Sequence, residues 1–435
     1  MFDILLFIFG LLLFILPIPH TIAVRYILSG ILILYLLYES IRQKKLKKIF
    51  NYKEIKISSL ILLTLSIWII FEGLFISPFS SICLSEIKSQ WFYPVIFFYI
   101  GIYLSVFFDY KKVLLVIVVT LFIHVLYVDL YALHKFIYTH HLISRFKGLT
   151  EGPDKANYIS NLLLAFLITE IINRVRFEKR LLNINNSVLF FMLIMTLLSE
   201  LIEGMRNGVM AVLFMSLSAL FFILYNNNRY SFKSKAIISV VLIVLLSIPA
   251  IYNFKNDSRW RTLIETVPIA LNTTKYKNWM YPDKLGMPVI NGRTLSESNY
   301  ERIAWAKMGL EEITKHPLGV GYSRNAFRHS LELDYKVDDL RIGHSHSGII
   351  DLTLGIGIPG VLLWITFIFY LFRASIFYFK NQYNIFAILL FFNITGFFVR
   401  SIVDSNMRDH MFLMFMLIIG VILGYLVKEK KENYI

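Results

Sequence analysis

Cysteine is nearly absent from this chain: Cys83 stands alone in 435 residues. Neither an intrachain disulfide nor a thiolate metal cluster can form from it. Charged residues are scarce at 17%. There is no P-loop, dinucleotide fingerprint or serine-elbow motif. No internal repeat is visible, and the one biased tail is the short charged end KEKKENYI. The N-terminal run lacks the basic start and small-residue cleavage site of a signal peptide, so it is expected to be a first membrane span.

Hydrophobic residues dominate instead, at 57%, with a mean hydropathy of +0.63. Soluble domains are nearer half apolar and do not repeat runs of this length. Many windows approach the roughly 20 apolar residues that a helix needs to cross a bilayer. The expected fold is an all-α polytopic membrane protein with about twelve spans, near 3–16, 21–41, 57–76, 91–107, 113–133, 157–173, 187–202, 208–225, 236–252, 347–372, 382–399 and 411–427. Glu200 and Glu203 blur the end of the seventh.

The formal net charge of +15 raises the possibility of nucleic-acid binding, but its distribution argues against it. One alternating set of short loops and tail, 42–56, 108–112, 174–186, 226–235, 373–381 and 428–435, holds 21 Lys and Arg. The opposite short loops hold 8. The positive-inside rule therefore places the first set and both termini on the inner side, and no nucleic-acid partner is expected. Aromatic residues, 16% of the chain, are read as membrane belt and packing.

One connection is long. Residues 253–345 form an outer loop of mixed charge between spans nine and ten, which divides the chain into spans 1–252, loop 253–345, and spans with an inner tail 346–435. A connection of this length is usually folded or functional. Ser298-Asn299-Tyr300-Glu301 fits a capping box. Ile303, Ala306, Leu310 and Ile313 then share a helical face, and His316-Pro317-Leu318-Gly319 ends the helix. This helix is expected to lie on the membrane or over the span mouths.

The chemistry gathers on that outer side. The stretch HSHSGIIDLTLGIGIPG at 344–360 sets His344 and His346 at the mouth of an apolar span. Imidazole titrates near neutrality, which suits a general base at a membrane edge. Arg145, Arg206, Arg302, Arg400, Asp404, Arg408 and Asp409 are all expected on the same side. The guanidinium fork holds phosphate bidentately with a permanent charge, so converging arginines suit a lipid pyrophosphate. The plainer readings are snorkelling anchors, which fit Arg145 and Arg400 best, and a rim pair for Arg302. For His346 the plain reading is an interfacial residue bonded to a backbone carbonyl. Asp351, a little over one turn beyond His346, is placed either to orient the imidazole or as a polar group facing the bundle. His344-x-His346 begins a metal pattern but no full ligand set follows, so neither metal nor cofactor is expected. Gly355 and Gly357 are read, with Gly360, as close helix packing.

His346-Ser347, nine residues, and then Gly357-Ile358-Pro359-Gly360 resemble the signature of the O-antigen ligase family. That family is part of a wider superfamily with O-antigen polymerases and protein O-oligosaccharyltransferases. Val361-Leu362 departs from the small hydroxyl residues that often follow. Arg206 at the head of a span, Arg302 in ERIAWAKMGLEEITKHPLGVG, Arg145-Phe146-Lys147-Gly148 and Asp404 resemble further family positions. The resemblance implies a Gram-negative inner-membrane glycosyltransferase with its site facing the periplasm. It would join a glycan carried on undecaprenyl pyrophosphate to a hydroxyl of the lipid A–core oligosaccharide. The reaction would be inverting and independent of metal. It implies His346 as general base, Arg206, Arg302 and Arg145 as pyrophosphate ligands, and Asp404 and His344 in support. Polymerase, protein glycosyltransferase and transporter remain as rival functions. Gathering of the charges at one face argues against the last, since transporters hold theirs near the midplane.

Overall fold

The computed structural model describes residues 2–43, 49–225, 231–290, 292–335 and 342–432. Parts of the expected basic loops 42–56 and 226–235, of the outer loop and of the charged tail lie outside these. The chain is almost wholly helical, as long β-branched and Leu-rich runs with no water to serve their backbone must be. In order, α1 is Phe2–Ile15, α2 Ile22–Gln43, α3 Lys53–Phe75 and α4 Ser80–Glu86, which passes through a π-helical turn, Ile87–Phe92, into α5 at Tyr93–Phe107. Then follow α6 Tyr110–Thr139, α7 Pro153–Phe177, α8 Asn186–Glu203, α9 Arg206–Leu224 and α10 Phe232–Asn256. The outer segment holds α11 Ser258–Ala270, α12 Pro282–Leu285, a two-stranded ribbon (β1 Val289–Ile290, β2 Arg293–Thr294), α13 Glu297–Lys315 and α14 Ala326–Tyr335. The chain finishes with α15 Gly348–Gln382, α16 Ile385–Val403 and α17 Asp409–Glu432.

Among the described residues, ten helices are long and apolar enough to cross a membrane. The first of the twelve expected spans is only the short α1, 14 residues long. At 1.5 Å per residue that is about 21 Å, less than a bilayer core. The ninth coincides with α10. The seventh, α8, runs to Glu203, and its two acids do not end it early because both are buried and bonded. Asn157 Nδ2 reaches Glu200 at 2.7 Å and Glu203 at 3.2 Å, and Ser160 reaches Glu203 at 2.7 Å.

The last helix, α17, is the axis of the bundle and is buried along its membrane stretch. It packs chiefly against α5, and Trp91, Trp364, Phe397, Phe412 and Phe415 interlock around it. A second, smaller core belongs to the outer segment and ties it to α15: Trp279, Tyr300, Trp305, Met308 and Phe327 pack with Ile350 and Leu354.

Two expectations about the outer helix change. The N-cap of α13 is Ser296, not Ser298, and its side chain makes no cap bond. Ser298 lies in the first turn, and its hydroxyl takes a hydrogen bond from Arg206 instead. The stripe of α13 turned to the core is Tyr300, Ala304, Met308 and Glu312, whereas Ile303, Ala306 and Leu310 line a cavity.

The glycines of the 355–360 stretch also differ from simple helix packing. Gly357 breaks α15, with φ 67° and ψ 176°, a region open essentially to glycine alone. The segment Pro317–Tyr322 docks into the break. Ile358 N–H donates to Pro317 O at 2.8 Å, and Val320 N–H donates to Leu354 O at 2.8 Å. Trp68 of α3 donates its indole N–H to Ile356 O at 2.7 Å. Non-helical backbone at membrane depth is tolerated where protein surrounds it and serves its polar groups, as here.

Candidate functional site

Three elements converge on the outer side: the head of α9, one face of α13 and the turn that starts α15. With α11 and the end of α16 they line a cavity of about 590 Å³. Arg206, Arg302 and His346 all line it. Its remaining wall is largely apolar, including Met210, Leu263, Ile303, Leu310, Ile402 and Val403. Several of these, Met210, Leu310, Ile402 and Val403 among them, are exposed.

His346 sits at φ 60°, in the left-handed region. The turn around it is fixed by side chains on three sides. Asp351 Oδ1 accepts from Ser345 N–H at 2.8 Å, and Ser405 Oγ donates to Asp351 Oδ2 at 2.7 Å. Ser405 Oγ and His344 Nδ1 are 3.1 Å apart, and His346 N–H donates to His344 Nδ1 at 3.2 Å. Asp351 thus holds the Ser345 backbone directly and His344 through Ser405, and makes no bond to the His346 imidazole among the described residues. Ser347 caps α15 by accepting from Ile350 N–H at 3.4 Å, and Gly348 N–H donates to Asp404 O at 3.0 Å.

The His346 ring lies flat on Trp305, centroids 5.2 Å apart and planes 13° apart, and edge-on to His344 at 4.5 Å. Burial, reinforced by the Arg302 charge, pushes the His346 imidazole down to about 4. Burial and then Arg408 push His344 down to about 2. Both rings are therefore neutral at pH 7, and a neutral imidazole can accept a proton.

The two cavity arginines are exchanged between elements. Arg206 of α9 donates to Asn299 Oδ1 at 2.6 Å and Ser298 Oγ at 3.3 Å on α13, with its guanidinium over the Trp260 ring at 5.5 Å. Arg302 of α13 donates to Val403 O at 3.1 Å and approaches Asn207 Oδ1 at 3.5 Å on α9. Neither forms an ion pair with a carboxylate among the described residues. Burial lowers the Arg302 guanidinium, with Asp404 opposing.

The other expected residues fall outside the cavity. Arg145 is exposed, at φ 58°, beside the Gly204 turn that precedes Arg206, and does not line the cavity. Arg400 is no snorkelling anchor. It is buried, with bonds to Asp404 Oδ2 at 2.8 Å, Asn157 Oδ1 at 3.2 Å and Asp154 O at 2.6 Å. Asp404 serves this pair. Arg408 and Asp409 lie 3.7 Å apart on the far side of the His344 turn, where Arg324 also meets Asp409. Trp305, Asn299, Ser298 and Trp260 were not foreseen. Trp305 had a signal: it is three residues from Arg302, hence on the same helical face.

This arrangement offers a neutral imidazole and two guanidinium groups without a carboxylate partner among the described residues, in a largely apolar chamber. It suits proton removal beside an anionic leaving group. Residues 188–365 match the family model described as O-antigen ligase, and they span Arg206, Arg302 and His346. The match supports an activity of the broad O-antigen ligase or polymerase type on lipid-linked glycans. No curated protein matches the chain.

Proposed function

We propose that this protein is an O-antigen ligase, a glycosyltransferase of the bacterial inner membrane whose site faces the periplasm. It moves a glycan from undecaprenyl pyrophosphate to a sugar hydroxyl of lipid A–core. His346 takes the proton from the acceptor hydroxyl as its oxygen attacks the anomeric carbon. The bond from that carbon to the pyrophosphate breaks, and the pair of electrons leaves with the diphosphate. Arg206 and Arg302 hold the diphosphate and offset the charge that builds on it. Holding donor and acceptor together supplies much of the rate. Asp404 and His344 act at one remove, through Arg400 and through the His346 turn.

The observation that carries this reading is the single cavity lined by His346, Arg206 and Arg302 with apolar side chains between. The guanidinium groups suit the pyrophosphate and the apolar wall suits a prenyl chain.

The test is the lipopolysaccharide banding pattern of a strain lacking the protein, complemented with wild type or His346→Ala. Wild type should restore capped lipid A–core and His346→Ala should not, at equal membrane abundance. Full capping by the variant overturns the assignment of His346. A null strain that shows single repeats on the core points to polymerase instead.

A further inference from the structure

A second cavity lies at the opposite end of the bundle. It measures about 460 Å³ and is lined by Lys111, Lys179, Arg180 and Lys428, with Asp109 and Glu429. Tyr110, Phe386 and Tyr425 wall it, packed edge to face or stacked at 5.3–6.1 Å. α16 starts at this cavity with Ile385 and ends with Val403 at the His346 cavity, 18 residues on. At 1.5 Å per residue the two lie about 27 Å apart, close to one bilayer core. By the loop-charge asymmetry this is the inner face.

Loose basic loops are expected on that face, but here four cations converge on one walled space. Both acids are already engaged. Asp109 caps α6 by accepting from Lys111 N–H at 2.9 Å. Glu429 accepts from Ile385 N–H at 3.3 Å and lies 3.6 Å from Lys179 Nζ. Lys428 donates to Ser105 O at 2.7 Å. Arg180 and Lys111 form no carboxylate ion pair among the described residues, and both are exposed. The N-termini of α6 and α16, helices of 30 and 19 residues, add two partial positive charges at the same place.

We propose that this cavity binds a phosphate-bearing group at the inner face, with the headgroup of an anionic phospholipid as its source. The chemistry is charge-assisted hydrogen bonding to phosphate oxygens from Arg180, Lys111 and Lys179, at the height where headgroups lie. It does not depend on the reaction at the outer cavity.

The experiment uses the full chain in detergent. Native mass spectrometry measures retention of phosphatidylglycerol against phosphatidylcholine, and thermal unfolding measures stabilisation by inorganic phosphate. Wild type is compared with Lys111→Ala/Arg180→Ala and with Lys135→Ala/Lys147→Ala, on the opposite face, as a charge-matched control. Each basic group at an anionic surface is worth about fivefold, so the first pair should lose roughly thirtyfold in phosphatidylglycerol affinity and the control little. Arg180→Ala alone, at an exposed position, should lose about fivefold and serves if the double variant folds poorly. Stabilisation by inorganic phosphate that needs the same two residues, without lipid retention, keeps the anion site and moves its source to solution. Equal retention of both lipids, or equal loss in the control pair, overturns the proposal.

Discussion

The imidazole of His346 rests on the indole of Trp305, the two planes only 13° apart. A ring held this way keeps one orientation, and the indole face favours the positive charge that imidazole gains on accepting a proton. Trp305→Phe should keep most activity. Trp305→Leu should lower kcat about tenfold, with a smaller change in donor KM. A membrane-based ligation assay at matched abundance checks it, and equal loss in both variants would reduce Trp305 to packing.

Burial and Arg302 both oppose the imidazolium form of His346, which holds it at about 4. As the proposed base, this imidazole is neutral above that value and is lost to protonation as pH falls through about 4. The acid limb of kcat/KM should therefore have its midpoint there. Arg302→Met removes a repelling charge, so the limb should move to higher pH while the plateau also drops. An unmoved midpoint would mean that the limb belongs to another group.

Arg206 spreads its guanidinium between Asn299 and Ser298 and over Trp260. A lysine keeps the charge but not the fork. Arg206→Lys should cost about 10–100-fold in kcat/KM, the scale of one or two charge-assisted hydrogen bonds of ~1.5–3 kcal/mol. Near wild-type kinetics would make Arg206 an interfacial anchor.

Gly357 meets Leu318 at the break in α15, where an added Cβ would overlap that residue's backbone. Gly357→Ala should cost ~1–3 kcal/mol of backbone strain, with the overlap added to it. Gly396, helical and with open space where a Cβ would go, should tolerate alanine or gain up to ~1 kcal/mol. Unfolding midpoints of the two variants in detergent decide the point.

The helices were legible because apolar runs in a bilayer have few other folds. That Arg206, Arg302 and His346 share one cavity was legible because guanidinium and imidazole groups at a span mouth need a reason to be there. What the one-dimensional pattern lacks is partnership across distance. Trp68 bonding to Ile356 and the docking of Pro317–Tyr322 are contacts between remote segments, so Gly357 read as helix packing rather than a break. Arg400 looked like an anchor because, although its ion-pair partner Asp404 is local, the Asp154 and Asn157 contacts that bury it are 246 and 243 positions away. Ser298 read as a cap because the capping pattern is local, while the group that claims its hydroxyl, Arg206, is not.

Arg206 is already engaged by Ser298 and Asn299 on the outer helix. On the proposed function, a diphosphate seated there would have to share that guanidinium with its two partners on the roof. A filled chamber would then loosen one strap of its own roof, and an empty one would draw it tight.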